Sequence, residues 1–240
     1  MALIAGLSLL GLALVSAFAY FGVLAGLVVP TDPAVTLSNL MTSDGPFRAA
    51  IAAFLVVILL DVVVAWSLYV LLRPVNRNLA LLMAAFRLTF AVVFLAALAN
   101  LLDVAQLLAD PGYVASVSTA SLSTQVTAAI ASFENTWDLS LALFGLHLIA
   151  LAPLLAGPSA LSKILAALVV VAGAGYLVDT FGEILVSRYA FTLSVFTFVG
   201  EALVIVWLLW IAAKGVGRET NALGDDATER RQAQPTTVSA

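Results

Sequence analysis

Four ionisable residues interrupt four different apolar segments of this 240-residue sequence: Asp61, Arg87, His147 and Glu201. Arginine keeps its charge inside a protein, so a buried Arg87 needs a carboxylate partner. His147 and Glu201 are residue types that bind and release protons. These residue types are consistent with a site for a polar solute, with a proton relay, or with an ion-pair network that only fixes how the helices align.

The segments around these residues are typical of membrane spans. The chain is 63% hydrophobic and 10% charged, whereas about a quarter of the residues in soluble proteins are charged. Spans of roughly 20 apolar residues cross a bilayer as helices, and nothing here alternates like a barrel strand. The sequence therefore predicts an all-α, polytopic membrane protein with a bundle of six transmembrane helices. The predicted spans are about 4–29, 48–72, 79–102, 137–156, 162–183 and 190–213.

The predicted spans place the four ionisable residues at similar depth. An α-helix rises about 1.5 Å per residue. Counted from the predicted cytoplasmic end of each span, Asp61 lies about 16 Å deep, Arg87 and His147 about 12 Å, and Glu201 about 18 Å. A very short turn at 74–78 joins spans two and three, so Asp61 and Arg87 lie on antiparallel neighbours. Asp61 and Arg87 could therefore face one another, and the guanidinium of Arg87 could hold Asp61 and Glu201 together; the sequence leaves open whether Asp61 and Arg87 pair.

The basic residues predict the orientation in the membrane. Short cytoplasmic loops carry an excess of lysine and arginine, and seven of the ten basic residues fall on one side of the predicted spans. Both termini are therefore predicted to be cytoplasmic, in a multi-pass protein of the cell membrane. Arg73 and Arg77 either set this topology or hold lipid phosphates. The seven residues are Arg73, Arg77, Lys163, Lys214, Arg218, Arg230 and Arg231.

The opposite side of the membrane is predicted to be acidic and to carry a surface segment. Asp179 and Glu183 share one face of span five and are predicted to form a solvated outer rim, with cation entry as the alternative. Residues 104–136 are too polar to span and are predicted to form a short surface helix. Residues 215–240 lack apolar periodicity and are predicted to form a disordered cytoplasmic tail.

Several classes of function are disfavoured by the sequence. It has no cysteine and one histidine, so no metal site is predicted, and no cofactor motif is present. The net charge of -4 argues against binding to nucleic acid. The expected partners are membrane lipids and a small polar solute or protons. Gly22 and Gly26 indicate ordinary packing in the bundle, with a homo-oligomer face as the alternative.

Residues 68–88 (LYVLLRPVNRNLALLMAAFRL), 144–155 (FGLHLIALAPLL), 172–181 (AGAGYLVDTF) and 200–209 (GEALVIVWLL) carry a family resemblance. Over about residues 1–214 the chain resembles the domain of unknown function 4386 family of prokaryotic membrane proteins. The resemblance implies a six-helix integral membrane protein and no particular activity. The start, MALIAGL, departs from the basic N-terminus that is usual in that family. The matching residues are Arg73, Pro74, Asn76, Arg77, Arg87, His147, Asp179 and Glu201.

Three functions remain open at this point. The first is a small carrier or channel-like protein whose buried residues bind a polar solute or relay protons. The alternative is a non-catalytic structural or interaction protein that contacts lipid or a partner. The third is an intramembrane enzyme that modifies a lipid, although no nucleophile and base stand at a recognisable spacing, so no catalytic residue is assigned.

Overall fold

The computed structural model describes residues 1–189, 192–193 and 199–232, with side chains as far as residue 215. Within these residues all regular structure is helical, which agrees with the predicted all-α class. The helices are α1 (Ala2–Leu27, of which Phe18–Leu24 is π-helical), α2 (Pro33–Thr42), α3 (Asp44–Leu72), α4 (Arg77–Leu108), α5 (Pro111–Ser116), α6 (Thr119–Leu155), α7 (Ala160–Leu185) and α8 (Val199–Gln232).

Five of these helices, α1, α3, α4, α6 and α7, are long and apolar enough to cross a membrane. They contain the first five predicted spans. The sixth predicted span, 190–213, includes residues 190–191 and 194–198, which lie outside the described residues, and α8 begins within it at Val199. The backbone of α8 continues to Gln232, whereas the sequence predicted a disordered tail from residue 215; residues 233–240 lie outside the described part.

Side chains of the preceding residues start most of these helices. Asp32 accepts hydrogen bonds from the backbone N–H groups of Ala34 and Val35 at the start of α2, and Asn76 accepts one from Leu79 at the start of α4. Ser118 and Ser159 cap α6 and α7 in the same way. These oxygens satisfy N–H groups that have no partner inside the helix, so each helix has a defined first turn.

The six long helices pack against one another in a closed order: α1 against α3, α3 against α4, α4 against α6, α6 against α7, α7 against α8, and α8 against α1. We call the end with the tight turn between α3 and α4 the turn end, and the other the far end. Arg73 and Arg77 are exposed at the turn end. This order surrounds a central space to which all six helices contribute.

The far end of the bundle is larger than the sequence predicted. The segment 104–136, predicted to be a short surface helix, instead continues α4 to Leu108, forms the short α5, and begins α6 at Thr119. At about 1.5 Å per residue, the 37 residues of α6 extend roughly 55 Å, well beyond a hydrocarbon core of about 30 Å. The helix α2, which lies between the first two predicted spans, packs against this extension.

Two apolar clusters fill the bundle on either side of a polar layer. The far-end cluster is aromatic, with Phe54 and Phe94 in contact at 5.7 Å between ring centroids. The turn-end cluster consists mainly of leucine, valine and alanine, for example Leu68 and Leu151. Asp61, Arg87 and His147 lie between the two clusters along their helices, and Glu201 lies near the start of α8, before the residues that α8 adds to the turn-end cluster. We call these four residues the polar layer.

Glycines allow α7 to approach both α6 and α8 closely. A Cβ atom on Gly145 would lie 2.7 Å from the carbonyl oxygen of Gly173, which joins α6 to α7. A Cβ atom on Gly200 would lie 2.7 Å from the carbonyl oxygen of Leu168 on α7. Only glycine permits backbones this close. Within the AGAG sequence at 172–175, Gly173 is the residue that makes this close approach to Gly145.

Candidate functional site

Asp61 and Arg87 form a buried ion pair at the centre of the bundle. The Nη2 atom of Arg87 lies 2.5 Å from Oδ1 of Asp61, and the two side chains are 3% and 2% exposed. This contact satisfies the carboxylate oxygen and compensates both charges. The Nε atom of Arg87 is buried without an acceptor among the described residues. The pair therefore compensates charge but leaves one N–H group of the guanidinium unsatisfied within that part of the chain.

His147 joins this pair from α6. Its Nδ1 lies 2.9 Å from the carbonyl oxygen of Met83, and its Nε2 lies 3.2 Å from Nη1 of Arg87. A carbonyl only accepts and a guanidinium only donates, so Nδ1 carries the proton and Nε2 offers its lone pair to Arg87. His147, which is fully buried, is thus a neutral acceptor in this arrangement. A proton relay that includes His147 was one of the alternatives that the sequence left open.

Glu201 lies on the other side of the polar layer and bonds elsewhere. Its Oε1 accepts a hydrogen bond of 2.8 Å from the Tyr176 hydroxyl group. Among the described residues no lysine, arginine or histidine nitrogen lies within ion-pair distance of its carboxylate. Arg87 therefore does not hold both carboxylates, as the sequence had suggested it could, and Glu201 keeps an uncompensated charge when it is ionised.

Phe144 lies between the two halves of the layer. The Cζ atom of Arg87 is 5.3 Å from the centre of its ring, the His147 ring stacks on it at 5.7 Å, and the Tyr176 ring meets it edge-on at 5.4 Å. The ring covers the guanidinium with its negative face. Phe144 therefore connects Arg87 and His147 to the Tyr176–Glu201 hydrogen bond through ring contacts.

A cavity of about 270 Å³ adjoins the polar layer in the middle of the bundle. Each of the six long helices contributes to its wall, which combines polar and aromatic side chains. The polar side chains are Ser16, Asp61, Arg87, Tyr176 and Glu201, and the aromatic side chains besides Tyr176 are Phe90, Phe94, Trp137 and Phe144. We call this space the central cavity.

A second cavity of about 590 Å³ adjoins the first on its far-end side and is acidic. The two cavities share the lining residues Ser16, Trp137, Leu141 and Tyr176, so they are adjacent. Glu134 and Asp138 line the second cavity together with Tyr20 from the π-helical part of α1. We call it the vestibule. Its carboxylates lie on the helix turns of α6 that precede Phe144.

The remaining predicted site residues lie outside the central cavity. Asp179, predicted to belong to a solvated rim, is instead buried and accepts hydrogen bonds from the Tyr189 hydroxyl group at 2.8 Å and from the backbone N–H of Leu193 at 2.9 Å. The hydrogen bond to this carboxylate raises the pKa of Tyr189 above its ordinary value. Glu183 is exposed and close enough to Asp138 to repel its charge.

Three residues of the site were not predicted from the sequence: Ser16, Trp137 and Tyr176. Trp137 packs inside the bundle, with its ring centroid 4.6 Å from that of Phe94. Phe133, Trp137 and Phe144 recur on one face of α6, and this spacing was the available signal. Tyr176 and Ser16 carried no signal, because a lone hydroxyl group in an apolar helix does not reveal which way it points.

No group of three or more histidine, cysteine, aspartate or glutamate side chains gathers into a metal site in the part of the chain that the structure describes. The chemistry available at the polar layer is therefore ionic contact, hydrogen bonding and proton binding by carboxylates.

Comparison with known proteins agrees with the resemblance seen in the sequence. The family model described as Domain of unknown function (DUF4386) matches residues 4–212. An uncharacterised protein of the archaeon Archaeoglobus fulgidus is 32% identical over 164 residues, which cover 68% of this chain and 84% of that protein. No solved structure matches the chain. The chain belongs to the DUF4386 family.

Proposed function

We propose that this protein is a membrane carrier whose central cavity binds a small polar solute. The observation that carries the proposal is the position of the cavity: all six long helices line it, and it contains both members of the ion pair as well as Glu201. Solute sites of carriers are typically near the middle of the membrane, between helices that can move against one another. The adjacent vestibule supplies a route towards the far end.

Two polar groups of the layer favour binding over a purely structural role. A carboxylate–guanidinium pair would suffice to align two helices, yet the layer also contains Glu201, which has no cation within ion-pair distance in the described chain. The buried Nε of Arg87 without an acceptor adds a cost of about 1–3 kcal/mol. Proteins retain such costs most readily where the polar groups serve function.

The proposal includes the arrangement in the membrane. We infer six spans, with α8 as the sixth, and cytoplasmic termini, because the exposed Arg73 and Arg77 mark the turn end as the cytoplasmic side. The vestibule then opens towards the outside. At the far end, Arg48 is paired with Asp44 at 2.9 Å.

Orientation is testable with single cysteines, because the chain has none of its own. Val75→Cys places a thiol in the exposed turn between α3 and α4, and Ala115→Cys places one on the exposed face of α5. In intact cells an impermeant maleimide should label Ala115→Cys and spare Val75→Cys until the membrane is opened. The reverse pattern would invert the proposed topology.

Flux measurements test the carrier function directly. Purified protein in liposomes would be screened for uptake of protons and of small cationic, anionic and neutral solutes, with empty liposomes as background. We expect uptake of at least one of them, and Glu201→Gln should abolish it because the carboxylate lines the cavity. Asp103→Asn, an equivalent change at an exposed position on α4, is the matched control and should transport normally.

One observation favours a structural role as the second candidate. Arg87 contacts Asp61 and His147, and His147 contacts the carbonyl oxygen of Met83, so the guanidinium is bound by groups of the protein itself. In that case the layer aligns α3, α4 and α6 and binds nothing. Absence of flux for every solute, or flux that Glu201→Gln leaves unchanged, would reject the carrier and favour this role.

A further inference from the structure

The charges around the central cavity identify the sign of its ligand. Arg87 is paired with Asp61 and only 2% exposed, so its positive charge is compensated and covered. Glu201 is half-buried, lines the cavity, and accepts a hydrogen bond from the Tyr176 hydroxyl group, with no cationic side chain of the described residues within ion-pair distance. With both carboxylates ionised, the three charged side chains sum to one negative charge. A ligand that carries one positive charge would make the site neutral.

The aromatic side chains that line the cavity indicate what kind of cation would fit. The rings of Phe90, Phe94, Trp137 and Phe144 line the same space as Glu201. Aromatic faces attract organic ammonium groups, and their apolar surface accommodates the carbon substituents of such ions. A strongly hydrated inorganic cation would need several oxygen ligands in place of these rings.

The vestibule supplies a matching path. Its wall combines the carboxylates of Glu134 and Asp138 with the rings of Tyr20 and Trp137, so acidic and aromatic groups continue from the cavity towards the far end. Acid-lined clefts with apolar walls raise the local concentration of cations. Ser16 and Tyr176 line both spaces and mark the neck between them.

The cavity volume limits the ligand size. About 270 Å³ is slightly below the roughly 300–1,000 Å³ that is usual for drug-sized ligands, so the central cavity by itself accommodates a small molecule.

We propose that the central cavity binds a small organic monocation, an ammonium ion with apolar or aromatic substituents. Its charge lies against Glu201, and its substituents lie against the aromatic rings that line the cavity. This assignment rests on the proposed function, since it names the solute class for the same cavity.

Benzyltrimethylammonium is a suitable probe, because its charge does not depend on pH. Equilibrium dialysis against the purified full chain in lipid nanodiscs, with excess sodium chloride, would compare it with benzoate and benzyl alcohol. We expect the cation alone to bind saturably. Glu201→Gln should weaken its binding by about tenfold or more, and Asp103→Asn should leave binding unchanged.

A second variant keeps the test decisive if Glu201→Gln misfolds. Ser16→Leu adds bulk at the neck without changing charge and should reduce binding of the cation. Gel filtration and the far-ultraviolet spectrum would verify the fold of each variant. Binding of the cation that neither variant alters would overturn the proposal.

The remaining outcomes separate the cation proposal from the carrier proposal. If benzoate or benzyl alcohol binds in place of the cation and Ser16→Leu blocks it, the cavity remains a solute site and the cation assignment is wrong. If no probe binds while proteoliposomes transport another solute, the assignment is again wrong and the carrier stands. If neither binding nor flux is found, both proposals fail.

Discussion

The two sides of the polar layer treat their carboxylates differently. Asp61 is buried against Arg87, and the same guanidinium donates to His147, so this side is closed and its charge is balanced. Glu201 has the hydroxyl group of Tyr176 in place of a cation, and it lines a cavity. The comparison separates groups that hold the helices together from a group that is available to a ligand. Equivalent substitutions on the two sides should therefore differ in how much they change the free energy of unfolding.

The largest effect is expected on the closed side. Arg87→Met leaves the charge of Asp61 buried without a partner and should lower the free energy of unfolding by about 3–5 kcal/mol. The double variant with Asp61→Asn should recover most of that loss, because it removes both charges. Thermal unfolding in detergent measures both. A double variant as unstable as the single one would show that the pair does not compensate itself.

His147 tests whether Arg87 needs its neutral acceptor. His147→Phe removes the acceptor at 3.2 Å from Nη1 of Arg87 and should cost about 2–3 kcal/mol. His147→Gln restores both an acceptor for Arg87 and a donor for the Met83 carbonyl oxygen, so it should be the more stable of the two. Equal stability would mean that the ring serves only to fill space.

The glycine contact between α6 and α7 sets how closely these two helices pack, and a substitution at Gly145 tests its contribution to stability. Gly145→Ala would bring a Cβ atom to 2.7 Å from the Gly173 carbonyl oxygen and should cost about 1–2 kcal/mol by forcing the helices apart. Gly26→Ala is the matched control, because a Cβ atom there meets nothing within 4 Å. It should be neutral or slightly stabilising. A stable Gly145→Ala variant would indicate that the helices can shift without loss.

The smallest effect on stability is expected on the open side. Glu201→Gln removes a charge that has no cation within ion-pair distance in the described chain and keeps an acceptor for Tyr176, so stability should change by less than about 1 kcal/mol, in either direction. Asp61→Asn, measured in parallel, should be destabilising by several times as much. If the two acid-to-amide variants behave alike, the distinction between closed and open sides is wrong.

The membrane class, the positions of five long helices and the burial of Asp61, Arg87 and His147 followed from the sequence by itself. Apolar length determines where a helix can cross a bilayer, and Asp61, Arg87, His147 and Glu201 are conspicuous because charges are rare there. The tight turn between α3 and α4 also made Asp61 and Arg87 neighbours along adjacent helices. These inferences need only local pattern and the length of a helical turn.

Only the tertiary structure decided which side chains meet. Depth along a helix is readable from sequence, but rotation about the helix axis is set by packing, here by the Gly145–Gly173 contact and its neighbours. For that reason His147 faces Arg87 while Glu201 turns to Tyr176, which pattern did not indicate. The far end was also misread, because polar, small-residue helices such as α2 and the start of α6 gain their stability from one another rather than from lipid.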